Sequence, residues 1–540
     1  MFLKTFYLKH WVDDDTFRKI LMFSKFLGRD ENGSVFEFDL QRAKKNGLRA
    51  SDVIQILDEV GISLSDEEKT KLQEDLPDYD IIFKISEKGY VLLEPKKYLG
   101  DLVKDLPVKY SKNLKAFYTF PYYYYELVRK LTERGLSVKE LELANKQFEI
   151  RCNCTLREYQ EEAIKKWIEN NYRGVVALPT GSGKTVIGIK SIEIVKVPTL
   201  IVTFTKDQML QWRDSLMKFL DLRPEIGLYY SNEKKIKPIT ITTYQTAYKH
   251  MAELGSKFDL LIIDEAHHLP AEKFKQIALF SIASKRLGLS ATPFREDGKH
   301  DELFQYLGGL VYFSSTEDLV KRNYLAPYRI VQIKVELKPA EKQKYLDLLK
   351  RFKQLAKNRK VSELLTLLKK GDQEASEALK IYNEMRKIVN MSESKIDIIK
   401  DILEKEKGKK VLIFTQYVDQ AKEIARRYNT FLLTGETSDK ERKIILDTFK
   451  KMSAGVLVLT TVGDEGLDIP DASVGVLVAG TGSKRQFIQR LGRLLRPKEG
   501  KVATLYEIIV KGTSEEYQSK KRKEEDIIQA FYNSSEEDEM

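Results

Sequence analysis

The chain has 540 residues, 42% of them hydrophobic, which is enough for several cores; 32% are charged, with a net charge of +11. No stretch approaches the ~18 uninterrupted apolar residues of a membrane helix, and the start, MFLKTFYLKHWVDDD, turns acidic too early for a secretory signal. A cytoplasmic protein with no membrane partner is expected, and its positive balance favours a polyanionic partner.

Residues 1–105 read as a small mixed domain. A strand over Ser34–Leu40 precedes helical patterns at Ser51–Val60 and Asp66–Leu76, and a hairpin spans Tyr79–Pro95, turning at Glu87-Lys88-Gly89. Residues 106–155 are expected to connect onward. They carry an aromatic cluster, Phe117 through Tyr125, suited either to stacking on bases, at ~1–3 kcal/mol each, or to core and interdomain packing. Cys152 and Cys154 are the only cysteines. Their spacing is too short for an ordinary disulfide and two thiols do not complete a zinc site, so reduced thiols are expected.

From residue 156 to 328, short apolar runs alternate with amphipathic helical patterns: Val175–Leu178, Thr199–Phe204, Ile239–Tyr244, Leu260–Ile263 and Arg286–Ala291. Such runs are what strands buried on both faces look like, and their spacing predicts a doubly wound parallel sheet. The same texture returns over 395–514, with runs at Val411–Thr415, Thr430–Leu433, Val456–Thr461, Val474–Ala479 and Val502–Val510. Between the two lobes, 329–394 reads as a linker and a helical insert. From Lys338 to Lys360 the insert carries nine Lys/Arg against two acids, a lopsided face that leans toward phosphate contact. Residues 515–540 form a charged tail.

The strongest local signal is Leu178-Pro179-Thr180-Gly181-Ser182-Gly183-Lys184-Thr185, placed between a strand and a helix. Glycine lets backbone N–H groups wrap phosphates, and the helix N-terminus adds its dipole. Lys184 supplies a point charge at the β/γ oxygens of ATP, and Thr185 is a ligand for Mg²⁺. Downstream, the strand end Asp264-Glu265-Ala266-His267-His268 offers Asp264 to hold Mg²⁺ and Glu265 to orient the attacking water. Two of the five histidines sit here, and they read as couplers between the ATP site and its neighbours. Upstream lie Arg157 and Gln160, whose amide can pair with the adenine edge. In the second lobe, Arg493 and Arg496 stand almost one helical turn apart in Gln489-Arg490-Leu491-Gly492-Arg493-Leu494-Leu495-Arg496. Either can serve as an arginine finger, worth ~10³–10⁵ in rate.

The glycine loop, DEAHH, Ser290-Ala291-Thr292, the stretch Thr460–Asp468 and the QRLGRLLR stretch follow the order of superfamily 2 helicases. The resemblance covers 156–510 and implies two RecA-like lobes; with the readings above, the fold class expected is α/β, two RecA-like parallel-sheet lobes with a small N-terminal α/β domain at 1–105 and a helical thumb insert between the lobes. It also implies that Ser290 and Thr292 couple ATP state to DNA grip. By the same resemblance Gly466 and Asp468 border the nucleotide, and Thr205, Thr243 and Thr460 touch the phosphate backbone. Arg295-Glu296-Asp297, directly after Ser290-Ala291-Thr292, resembles the RED motif of the XPB family, whose thumb and N-terminal damage-recognition-like domain match 338–391 and 1–105. That family implies an ATP- and Mg²⁺-dependent 3′→5′ DNA helicase or translocase acting on duplex, forked or bubble DNA in excision repair or transcription-linked processes, and its archaeal members suggest a nuclease partner. Duplex pumping without unwinding and an ATP-gated clamp that recruits a nuclease remain the alternatives. Eukaryotic members often carry DEVH where DEAHH stands here and have long terminal extensions, and from its compact length an archaeal or bacterial member is expected.

Overall fold

The computed structural model describes residues 5–143, 147–291, 294, 298–460, 472–478 and 502–516. The chain divides into two compact units: residues up to 145 with His250–Phe258 and Leu279–Ser284, and the remainder.

The first unit holds two small sheets. In one, Gly33–Phe38 lies between Thr5–Leu8 and Ser24–Asp30, all antiparallel. Its alternation buries Phe6, Phe36 and Phe38 against Val53, Leu57 and Leu72 of the helices Ala50–Glu59 and Asp66–Asp75. The other has five strands in the order Lys109–Ser111, Ala116–Thr119, Val91–Pro95, Ile81–Ile85 and Val138–Lys139, covered by the helix Tyr124–Glu133. Residues 106–139, expected to be connecting chain, thus supply three strands and a helix to the sheet that contains the hairpin. The aromatic cluster serves largely as packing here. Phe120 sits against Tyr90 and Phe280 at 5.6 and 5.1 Å, and Tyr124 is 1% exposed. Burial pushes the Tyr124 phenol up to about 12, and its oxygen accepts from Leu141 N at 2.9 Å.

In the second unit, lobe 1 is an eight-stranded sheet in the order Glu233–Lys234, Ile226–Tyr230, Ile239–Thr243, Thr199–Thr203, Leu260–Asp264, Lys285–Ser290, Arg173–Ala177 and Leu310–Phe313. Every pairing is parallel except that of the first strand. Lobe 2 is a wholly parallel sheet in the order Tyr328–Val335, Ala503–Val510, Val474–Leu477, Lys410–Thr415, Gly455–Thr460 and Phe431–Leu433. Tyr328–Val335, read with the linker, pairs along its whole length with Ala503–Val510. The thumb therefore interrupts lobe 2 after that lobe's first strand.

The thumb comprises helices Pro339–Ala356, Val361–Lys369 and Gln373–Asn390, joined by Tyr345, Leu348, Ile381 and Met385 in one apolar cluster and Ala356, Leu364 and Ala378 in another. Its base is tied by one carboxylate. Glu341 accepts from Lys338 N at 3.0 Å, Ser392 Oγ at 2.9 Å and Glu393 N at 2.9 Å, joining entry and exit. Beyond it, Lys395 is buried and donates to Val478 O at 2.8 Å and Glu515 Oε1 at 2.5 Å.

One correction concerns the cysteines. Cys152 and Cys154 form a disulfide with the Cα atoms 5.4 Å apart. The chain is extended only at Arg151–Cys152 and then turns, so the two residues approach to a span that a disulfide bridges.

In lobe 1 the helices Lys184–Val195 and Lys206–Phe219 meet at Gly188, where an added Cβ would stand 2.5 Å from the Trp212 ring. Gly188→Ala is expected to destabilise the chain by about 1–3 kcal/mol through overpacking, measured as a lower urea midpoint.

Candidate nucleotide-binding site

Parallel register sets the site. Thr203 lies opposite Thr243, Val202 opposite Ile263, Asp264 opposite Leu289, and Ala177 opposite Ser290. The carboxyl ends of five adjacent strands thus carry Thr243, Thr203, Asp264, Ser290 and the glycine loop along one edge, the usual place for ligands in open α/β sheets.

The loop after Ala177 runs into the helix Lys184–Val195. Gly181 and Gly183 adopt φ of 87° and 81°, the left-handed region that glycine enters without strain. An added Cβ at Gly183 would meet Gln160 Nε2 at 2.6 Å. Ser182 Oγ donates to Pro179 O at 2.7 Å, and Lys184 Nζ donates to Leu178 O at 3.0 Å and Pro179 O at 3.3 Å. Burial holds the Lys184 ammonium below its usual range, opposed by the Glu265 and Asp264 carboxylates. Thr185 follows in the first turn. Thr180 Oγ1 is buried with no hydrogen-bond partner among the described residues.

Gln160 is 4% exposed and caps its own helix, its Oε1 accepting from Arg157 N at 2.9 Å. Its Nε2 donates to Ser182 O at 2.9 Å, and Tyr159 OH donates to the same carbonyl at 2.5 Å. Arg157 reaches Tyr159 OH and Tyr324 O, both at 3.3 Å. The Gln160 amide therefore faces the phosphate loop, and pairing with adenine requires exchanging these bonds.

Asp264 is pushed up by burial. The Trp212 indole donating to Oδ2 at 2.8 Å, the Lys184 charge and the Glu265 N–H at 3.0 Å from Oδ1 oppose that shift. Glu265 occupies φ +48°, a conformation uncommon for a side-chain-bearing residue and frequent where strain serves a site. His267, 1% exposed, places Nδ1 3.1 Å from Ser290 Oγ and 3.4 Å from Glu265 Oε2. The strand that ends in Ser290 is thus linked to the acid expected to align water.

These residues suit a nucleotide polyphosphate with a divalent ion. The loop offers glycine backbone, an orphaned hydroxyl and an ammonium whose hydrogen bonds go to the loop carbonyls Leu178 O and Pro179 O. Among the described residues, no three or more His, Cys, Asp or Glu gather as a self-sufficient metal cage. A cation at Asp264 would draw further ligands from phosphate and water, as Mg²⁺ habitually does.

Thr205 and Thr243 each begin a helix. Thr205 Oγ1 accepts from Gln208 N at 3.2 Å and Thr243 Oγ1 from Thr246 N at 3.3 Å. In lobe 2, Thr460 ends the strand Gly455–Thr460, its Oγ1 buried with no partner among the described residues. Thr292, Arg295, Glu296, Asp297, Gly466, Asp468, Arg493 and Arg496 lie outside the described residues. Sequence reasoning missed Trp212, Tyr159 and Tyr324 as supports of the site. The available signal was Trp212 itself, an indole on the apolar stripe Met209-Trp212-Leu216, whose N–H needs a buried acceptor.

Two family models match: "Type III restriction enzyme, res subunit" over residues 153–295 and "ERCC3/RAD25/XPB C-terminal helicase" over residues 373–534. A similar solved structure is the Pyrococcus furiosus Hef helicase domain, at 22% identity and a TM-score of 0.44, covering 67% of this chain and 97% of that one. "DNA 3'-5' helicase XPB" of Kineococcus radiotolerans is 32% identical over 67% of this chain, which spans 61% of that protein. "DNA 3'-5' translocase XPB2" of Sulfurisphaera tokodaii is 39% identical over 77% of this chain and 96% of its own length. With that relative matched almost end to end, and the nucleotide-site motifs in order along one sheet edge, the chain belongs to the XPB family.

Proposed function

We propose that the chain is an ATP-driven 3′→5′ DNA translocase and helicase. The observation that carries this reading is the shared strand edge, where a phosphate loop, two acids and a relayed serine stand beside two threonine-capped helix starts. The relatives' names support the track and polarity: DNA 3'-5' translocase and DNA 3'-5' helicase. A Schizosaccharomyces pombe relative, 26% identical, is named as a subunit of "General transcription and DNA repair factor IIH". Excision repair or transcription-linked remodelling is the setting that this supports.

In the cycle, backbone N–H groups of 180–185 and the Lys184 ammonium bind the polyphosphate, and Glu265 orients water for attack. Thr185 and Asp264 would hold a Mg²⁺ ion, which would supply neutralisation of phosphate charge and polarisation of the transferred group. Arg493 and Arg496 complete the site from lobe 2, so catalysis requires closure and product release relaxes it. Gly466 and Asp468 border the same nucleotide.

Helix N-termini at Thr205 and Thr243, joined by Thr460, hold strand phosphates through N–H groups and dipoles. Within the thumb, Lys338, Lys344, Arg351 and Lys357 are matched by carboxylates. Lys342, Lys350, Lys353, Arg359 and Lys360 have no such partner among the described residues, and they form the surface offered to DNA. By the family resemblance the role of Arg295–Asp297 is to hold or wedge the strand junction, and the proposed protein partner is a nuclease.

Strand displacement on forked DNA, measured beside triplex displacement, tests the reading. Activity in both, dependent on ATP, is expected. Triplex displacement alone would reduce the function to pumping, and neither would leave only a clamp.

A further inference from the structure

The nucleotide site and the threonine-capped helix starts are joined by a packed aromatic group. His268 lies face to face with Phe204, ring centroids 3.7 Å apart and planes 7° from parallel. It also lies against His267 at 4.2 Å and the Tyr244 ring, edge-on at 6.2 Å. Tyr244 also packs on Phe274 at 5.1 Å and donates its hydroxyl to Glu265 O at 3.2 Å.

Sequence position gives this group its meaning. Phe204 immediately precedes Thr205, and Tyr244 immediately follows Thr243. His268 belongs to the turn that carries Asp264 and Glu265. The three strands entering these turns are adjacent and in register. Any displacement of the acidic turn reaches Phe204 and Tyr244 through stacked rings, because close-packed groups transmit strain. The Tyr244 hydroxyl provides a second link, to the main chain of the very residue expected to align water.

We infer that His268 is a positioning residue. By its stack on Phe204 and its edge contact with Tyr244, it conveys the state of the nucleotide turn to the helix starts at Thr205 and Thr243. This rests on the DNA-motor reading above. The face-to-face geometry makes the flat ring, rather than its titration, the operative feature. An aromatic replacement therefore preserves the relay and an aliphatic one breaks it.

The test is the ratio of ATPase rates with and without duplex DNA in the full chain. His268→Ala is expected to lower that ratio by roughly 2- to 30-fold, the span that coupling mutations cover, and His268→Phe to restore it. Phe204→Leu, which keeps apolar bulk but removes the flat face, is expected to lower the ratio too and serves if His268→Ala does not fold. A ratio unchanged in His268→Ala or Phe204→Leu overturns the relay, as does failure of His268→Phe to restore it. A parent chain that DNA does not stimulate overturns the motor reading instead.

Discussion

Lys184→Ala is expected to abolish ATP turnover, by about 10²–10³-fold or more, while duplex binding stays near the parent level. The geometry explains the size of the effect. The ammonium sits against two neutral carbonyls, Leu178 O and Pro179 O, and burial disfavours its charge. Arrival of a polyphosphate gives the ammonium charged oxygens to bond in place of those neutral carbonyls. Without Lys184, Asp264 and Glu265 would face that polyphosphate with no cation from the loop between them. Removing a single preorganised electrostatic group from such a site typically costs this much. Phosphate release at saturating ATP measures turnover, and fluorescence anisotropy with labelled duplex measures binding. A variant with normal turnover would mean that the engine lies elsewhere in the chain.

Stability offers the second large effect, at the buried pair below the thumb. Lys395 and Glu515 bury their side chains almost completely, exposed 0% and 8%. Burial pushes the Lys395 ammonium down, against the pull of Glu515. Lys395→Ala leaves the carboxylate without its ammonium and Val478 O without its donor, a change expected to cost about 3–5 kcal/mol. Lys395→Met combined with Glu515→Gln removes both charges but keeps an acceptor for Val510 N, bonded now at 2.9 Å. That double variant is expected to recover much of the loss. Urea midpoints measure both, and a single-variant shift within about 0.5 kcal/mol, the range of surface changes, would refute the assignment.

The strands that were legible in the sequence are those buried on both faces. Leu260–Asp264 and Lys410–Thr415 stand in sheet interiors and read as continuous apolar runs. The strands that were not legible lie toward the margins. Ile226–Tyr230 is interrupted by Gly227, Leu310–Phe313 is short, and Tyr328–Val335 alternates polar and apolar residues as an edge strand does. Residues 106–139 hid a helix and three strands because two of these strands span four residues or fewer and the third only two. The phosphate loop and Asp264-Glu265 were legible because their chemistry is local, fixed by spacing within a few residues. Trp212, which braces Asp264 from 52 positions away, was not, since only the fold brings the indole to the carboxylate. Phe204 escaped for the same reason: His268 reads as a coupler from its place beside the acids, but the ring it stacks on, 64 positions away, is brought to it only by the fold.

The bonds at Glu341 have a consequence for how the fold varies. Because one side chain fastens both the departure and the return of the three-helix insert, the excursion begins and ends at a single point on lobe 2. Loop-closure entropy grows only by about 0.6 kcal/mol for each doubling of length. The insert is in effect a cassette: a larger, smaller or differently charged one fits the same socket without rethreading the strands beneath it.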